Sequence, residues 1–189
     1  MHENESEDLL VSLRSTYERL RSEMKENWQR DLPLSELLFD RWERAKHLGF
    51  GEGTSIYHNS YVYGDVRIGH HTWVGPYTLL DGSGGLAIGD FCSISSGVQI
   101  YTHDTVKWAL SGGKAEYERA SVTIGSCSYI GSQTVIAKGV DIGEHCVIGA
   151  CSFVNRSVPA FSIAVGAPAR VIGRVEINGE QVRLIYEPE

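Results

Sequence analysis

Basic excess is missing from this sequence: 17 Lys and Arg stand against 24 Asp and Glu, a formal charge of −7 at pH 7. Such a chain has no broad positive field for neutralising phosphates, which argues against nonspecific binding to nucleic acid. Long hydrophobic runs are missing too. No stretch approaches the 18 or so apolar residues that cross a bilayer, so no membrane insertion is expected. The opening MHENESEDLL carries acids where a basic and then apolar leader would stand, and a cytoplasmic location is the default expectation. Cysteine is scarce: Cys92, Cys127, Cys146 and Cys151 lack C-x-x-C spacing, and 189 residues need no disulfide staples. They read as reduced thiols. With 42% apolar and 22% charged residues, the chain suits one soluble domain, or one with a small appendage.

What is present is an internal repeat of period six. Aliphatic residues recur at Ile56, Val62, Ile68, Val74 and Leu80, then after two extra residues at Ile88, Ile94 and Ile100. After a break they resume at Ile124, Ile130, Ile136, Ile142, Ile148 and Val154. Gly often follows the aliphatic, and four residues after it stands something small or branched, such as Thr72, Cys92, Ser128, Thr134 or Cys146. Neither a helix nor a simple half-buried strand has this period. Short strands joined by regular turns do, with Gly supplying backbone freedom or room at the bends. Three units closing a triangular coil stack Ile124 on Ile142, Ile130 on Ile148, Ile136 on Val154, Ser128 on Cys146 and Thr134 on Ser152. Like falls on like, in about five or six coils that form one continuous core.

Ahead of the repeat the texture is helical. Leu10, Leu13, Tyr17, Leu20, Met24 and Trp28 fall at steps of three or four within residues 6–30, and a second helix is expected over 35–46, with Leu38, Trp42 and Ala45 on one side. These helices are expected to cap the open N-terminal end of the solenoid, with partner or acceptor binding as the alternative. Residues 1–50 thus read as a helical cap or oligomerisation segment, 51–175 as the solenoid domain and 176–189 as a C-terminal tail.

The pattern resembles the hexapeptide-repeat family, whose fold is a left-handed parallel β-helix, and the resemblance covers roughly residues 50–175. The solenoid lapses once, over YTHDTVKWALSGGKAEYERASVT, and a loop at about 104–121 interrupts the scaffold where function commonly sits. Sugar-modifying acetyltransferases of this family, of the maltose and galactoside type, carry their catalytic His in a segment much like GVQIYTH, residues 97–103. The resemblance therefore implies His103 as general base. Attack of a sugar hydroxyl or amine on a thioester requires loss of a proton, and imidazole is the side chain suited to take it near neutral pH. The group orienting His103 stays open among Asp90, Glu116 and a backbone carbonyl, with Asp104 poorly placed by adjacency. His58, His70, His71 and His145 occupy ordinary turn positions and read as solvated.

Residues 130–173, IGSQTVIAKGVDIGEHCVIGACSFVNRSVPAFSIAVGAPARVIG, are similar to the coenzyme A half of the same enzymes. By position, the resemblance implies donor contacts at Ser132, Ala150, Asn155, Arg156 and Arg170, with acetyl-CoA as donor and no metal. Guanidinium groups suit the phosphates of CoA. On the acceptor side it implies Asp81, with Trp108 and Tyr129 as aromatic neighbours of the site; Tyr129 stands where the family carries Trp, and Val74 where maltose and galactoside enzymes carry Asn. That removes any warrant for those two sugars. Asp81 alternatively makes a turn at the start of DGSGG. The family further implies a homotrimer with sites between subunits. The expected reaction is O-acetylation of a sugar or glycan intermediate; N-acetylation of an amino sugar, perhaps nucleotide-linked, is the alternative. A gamma-class carbonic anhydrase needs an H-x-x-x-x-H pair, and Trp108 breaks it. A non-catalytic scaffold would keep the repeat and lose both GVQIYTH and the CoA half.

Overall fold

In the computed structural model, which describes residues 2–187, the hexads supply strands of mostly two residues whose aliphatic member points inward, each followed by a turn. Three faces result. The first stacks Ser55–Ile56, Trp73–Val74, Ser93–Ile94, Tyr129–Ile130, Val147–Ile148 and Ser162–Gly166 in parallel. The second stacks the first residues of Tyr61–Ile68 and Leu79–Ile88, then Gln99–Ile100, Val135–Ile136 and Phe153–Val154. The third uses the last residues of those two long strands, then Val122–Ile124 and Asp141–Ile142. Ile130 lies on Ile148, Ile136 on Val154 and Ile124 on Ile142, the register that the repeat demands.

The core is this ladder. Ile56, Val74, Leu80, Ile94, Ile100, Ile130, Ile136 and Ile148 are all fully buried. Ile130 sits between Ile94 and Ile148, so Ile130→Ala should leave a cavity that both neighbouring coils are too rigid to close. A loss of about 2–5 kcal/mol is expected by denaturant titration, against less than about 0.5 kcal/mol for exposed Glu144→Gln on the turn above. Equal effects would mean that the ladder does not carry the stability.

Glycine follows the aliphatic for reasons of crowding. A Cβ on Gly125 would meet the backbone nitrogen of Glu144 at 2.4 Å, and one on Gly143 would meet that of Ala160 at 2.3 Å. The left-handed turn conformation falls two residues later, on His71, Phe91, Cys127, His145 and Phe161. This corner forms a surface ridge in which His71 stacks on Phe91 and His145 on Phe161, ring centroids 4.9 and 4.8 Å apart. Those two imidazoles are therefore ring-packed and not simply solvated.

The N-terminal segment departs from a single cap. Helix α1 spans His2–Trp28 and packs chiefly on α2, Leu34–Leu38; Leu9, Leu10, Val11 and Leu13 are exposed. The helix expected over 35–46 is divided because Asp40 starts a new one, α3 (Arg41–His47), by accepting hydrogen bonds from the Trp42 and Glu43 amides. Closure of the solenoid falls to α3: Ala45 and Phe50 enter the core, and Arg44 donates to the Tyr57 and Ser60 carbonyls. At the other end the expected tail is largely strand. Ala169–Asn178 and Gln181–Tyr186 form an antiparallel hairpin that extends the first face, turning at Asn178 and at Gly179 with φ of 59°. The Asn-Gly pair was the local signal for it. Among the described residues no helix is long and apolar enough to cross a membrane.

Candidate active site

After Gln99–Ile100, its strand in the second face, the chain leaves the solenoid at the corner that follows. His103–Asp104 pairs antiparallel with Glu118–Arg119, His103 opposite Arg119 and Asp104 opposite Glu118. A two-stranded ribbon results, with a short helix, α4 (Val106–Leu110), at its far end. The chain rejoins the third face at Val122–Ile124.

Beneath this corner the preceding coil is two residues longer than a regular one, and the extra length lies in 83–85, opposite the single Asp65. Asp81 is buried, and its two oxygens are fully engaged. Oδ1 accepts the Ser83 amide at 2.9 Å. Oδ2 accepts the Thr102 amide at 2.9 Å and His103 Nδ1 at 2.6 Å, with the Thr102 hydroxyl at 3.3 Å. Burial works against charge here, but the hydrogen bonds from Ser83, Thr102 and His103 outweigh it and hold the carboxyl well below the usual carboxylate range. An ionised carboxylate only accepts, so the proton of a neutral His103 resides on Nδ1 and the Nε2 lone pair is free. The imidazole is one third exposed, whereas Asp81 has 2% of its side chain exposed.

Asp81, expected on the acceptor side or in a turn, makes the turn through the Ser83 amide and is bonded to the Thr102 amide and the His103 imidazole. Asp90 and Asp104 are engaged elsewhere: Asp90 accepts the His70 amide and Asp104 bonds Lys138. Glu116 is exposed and has no recorded bond to His103.

Near His103 stand the loop aromatics. Tyr117 lies nearly parallel to the imidazole at 6.5 Å between ring centroids, and Trp108 meets Tyr117 edge-on at 5.7 Å. Gly112 and Gly113, with φ of 65° and 82°, supply the turn that folds Trp108 back toward Tyr117. Both rings are about two-fifths exposed, a surface suited to an apolar ring face. Tyr117 belongs to the loop that the sequence marks, whereas Lys138 has no mark in the sequence beyond an ordinary hexad turn. Tyr129 points outward from the middle of the first face, away from this chain's His103 corner.

The five residues expected to hold the donor divide into two groups. Ser132 and Ala150 lie at the edge between the first and second faces, and Arg170 joins them through its pairing with Val165 at the end of Ser162–Gly166. Asn155 and Arg156 follow Phe153–Val154 at the edge between the second and third faces, the edge that carries His103 and Lys138. Arg156 and Arg170 are both exposed, and neither has an ion-pair partner among the described residues.

Comparison with known proteins gives the following. The family model described as bacterial transferase hexapeptide (six repeats) matches residues 121–156. A chloramphenicol acetyltransferase of Morganella morganii is 30% identical over 165 residues, covering 78% of this chain and 77% of that protein. A galactoside O-acetyltransferase of Escherichia coli is 28% identical over 130 residues, 58% of this chain and 64% of that one. The chain spans about half, 47%, of a probable acetyltransferase of Mycobacterium tuberculosis, at 27% identity. Among solved structures, an N-acyltransferase from Bacillus cereus in complex with dTDP and coenzyme A superposes with a TM-score of 0.59 at 27% identity, over 70% of this chain and 88% of that one. The solenoid is thus a left-handed β-helix.

Proposed function

Because the chain belongs to the hexapeptide-repeat acetyltransferases, we propose that it transfers an acetyl group from acetyl-CoA to a hydroxyl of a sugar or glycan intermediate, with His103 as general base. The observation that carries this reading is the Asp81–His103 pair. A buried carboxylate fixes the proton on Nδ1 and leaves Nε2 free beside Tyr117. In the reaction the acceptor hydroxyl gives its proton to Nε2 as its oxygen attacks the thioester carbonyl. The tetrahedral intermediate collapses with cleavage of the carbon–sulfur bond. CoA leaves as the thiolate and takes the proton back from the imidazolium, so His103 is restored.

Donor binding is proposed at Ser132, Ala150, Asn155, Arg156 and Arg170. Within one chain, Ser132, Ala150 and Arg170 stand one prism edge away from His103, with the whole second face between. Two neighbouring parallel solenoids bring one chain's donor edge to the other's His103, which supports a homotrimer with a site in each of its three clefts. Tyr129, outward on the first face, then becomes available to a neighbour's site. A cytoplasmic location, where acetyl-CoA is made and used, fits the same reading. N-acetylation of a nucleotide-linked amino sugar is the second reading, favoured by the similarity to the B. cereus N-acyltransferase bound to dTDP. It uses the same base and donor and replaces the hydroxyl by an amine.

The test is thiol release from acetyl-CoA across a panel of neutral sugars, amino sugars and nucleotide-linked amino sugars, with His103→Ala run in parallel. Release with one acceptor class that depends on His103 supports the reading and decides between hydroxyl and amine. No His103-dependent release with any of them sinks it. The donor side has its own measurement. Arg156→Ala and Arg170→Ala should each weaken CoA binding about 10- to 100-fold, the worth of a hydrogen bond to a charged group, and shrink the CoA-induced rise in Tm. An undiminished rise in both variants overturns the assignment.

A further inference from the structure

The ribbon that carries His103 has two different faces. Side chains alternate along a strand, and directly opposed residues share a face. His103 points down to Asp81 in the preceding coil, at 2.6 Å. Asp104 and Glu118, opposed to one another one step further along, point the other way. There they meet Lys138 of the following coil: its Nζ lies 2.8 Å from Asp104 Oδ2 and 3.1 Å from Glu118 Oε2. Lys138 stands two residues past Ile136, which itself stacks directly on Ile100. The ammonium therefore comes from the rigid wall, whereas both carboxylates come from the ribbon.

We propose that Lys138 is a positioning residue, a latch that fixes both strands of the active-site ribbon to the solenoid and so holds His103 over Asp81 at the angle proton transfer requires. This rests on the function proposed above. Two cross-strand carboxylates left alone repel and splay the ribbon at the residue after His103. One ammonium with three donors bonds both at once and removes that repulsion. Lys107, on α4 in the loop itself, also reaches Glu118, but it moves with the loop and cannot tie it to the wall. Asp104 takes the Val106 amide on its other oxygen at 3.0 Å, so the tie extends into the first turn of α4 and thence toward Trp108. The ionisation directions agree: Asp104 lowers and Lys138 rises because each bonds the other, and Glu118 lowers through Lys107 first and Lys138 second. Half-exposed ion pairs add little to global stability. Their effect here is on geometry, where a misplacement of about 1 Å can cost about 10²-fold in rate.

The experiment joins kinetics with hydrogen exchange on the full chain. In Lys138→Ala, kcat for acetyl transfer should fall about 10- to 100-fold while KM for acetyl-CoA stays within about twofold, because orientation is lost and donor contacts are kept. Amides of the peptide covering 104–121 should exchange at least about tenfold faster, with peptides of the first face unchanged. Lys138→Arg, which keeps a cation with several donors, should restore both. Unchanged loop exchange in Lys138→Ala overturns the latch. Faster exchange at undiminished kcat overturns the positioning of His103, and so does Lys138→Arg falling as far as Lys138→Ala. Failure of the acetyl-transfer reading looks different: the wild-type protein then releases no CoA with any acceptor, whatever its variants do.

Discussion

Replacing His103 by alanine should lower kcat for acetyl transfer by about 10²- to 10⁴-fold, the range one positioned base contributes. The expectation is this large because the carboxylates nearest His103 among the described residues are otherwise committed: Asp81 lies buried and bonded to two amides, and Asp104 and Glu118 face Lys138 on the other side of the ribbon. Folding should survive. Asp81 keeps the Ser83 and Thr102 hydrogen bonds when His103 is gone, so the stability loss should stay within about 1–3 kcal/mol, the cost of one lost partner on a buried group. Initial rates of thiol release at saturating acetyl-CoA, beside an unchanged CoA-induced rise in Tm, test both halves. A variant within a factor of a few of wild-type kcat would remove His103 from the chemistry.

The solenoid was legible because its information is periodic. Each inward aliphatic predicts its own neighbours, so Ile124, Ile130 and Ile136 announce their pairings with Ile142, Ile148 and Val154 without reference to anything distant. The role of glycine was half legible: its position was plain, but whether it answers to φ or to crowding depends on how closely the next coil approaches, and at Gly125 and Gly143 crowding decides. The non-repetitive parts resisted for definite reasons. Asp40 looks like one more polar residue in a helical stretch until its carboxylate is seen to cap α3. Lys138 occupies an ordinary turn position of a hexad, and only the ribbon leaving the coil below gives it carboxylates to bind.

The site itself was legible as a place and not as a machine. GVQIYTH and the break after it marked His103, yet the partner of His103 is 22 positions away, in a coil whose two extra residues displace the simple stacking rule. By the regular ladder Leu80 lies under Ile100, so Asp81 should lie under Tyr101. The carboxylate instead bonds Thr102 and His103, one and two positions further on, and the extra residues of the coil follow it at 83–85. That a coil two residues too long lies directly under the break in the hexads was visible in their spacing, and it was the available signal.

The strongest test of that arrangement is Asp81→Asn, which keeps the shape and removes the charge. Each oxygen of Asp81 now accepts from a backbone amide, Oδ1 from Ser83 and Oδ2 from Thr102, so whichever way the new amide turns, its NH₂ faces a donor. With NH₂ in the Oδ2 place it donates to His103 Nδ1, drives the imidazole proton to Nε2 and leaves no lone pair for the acceptor. With NH₂ in the Oδ1 place the tautomer survives, but the turn at Ser83 is broken and no charge remains to stabilise the imidazolium formed in the reaction. Either outcome should cost about 10²- to 10⁴-fold in kcat, the upper end belonging to a wrong tautomer in a comparable acid–imidazole pair. The stability cost has a pH signature. The folded carboxyl titrates below its unfolded value, near 3.9 for an ordinary Asp, so its contribution is fully present above that value and is lost as pH falls through the folded one. The Tm advantage of wild type over Asp81→Asn should therefore be present above about pH 5 and shrink as pH falls below about pH 4. A Tm difference that persists undiminished below about pH 4 would mean that Asp81 is not held ionised, and kcat near wild type would mean that it does not orient His103.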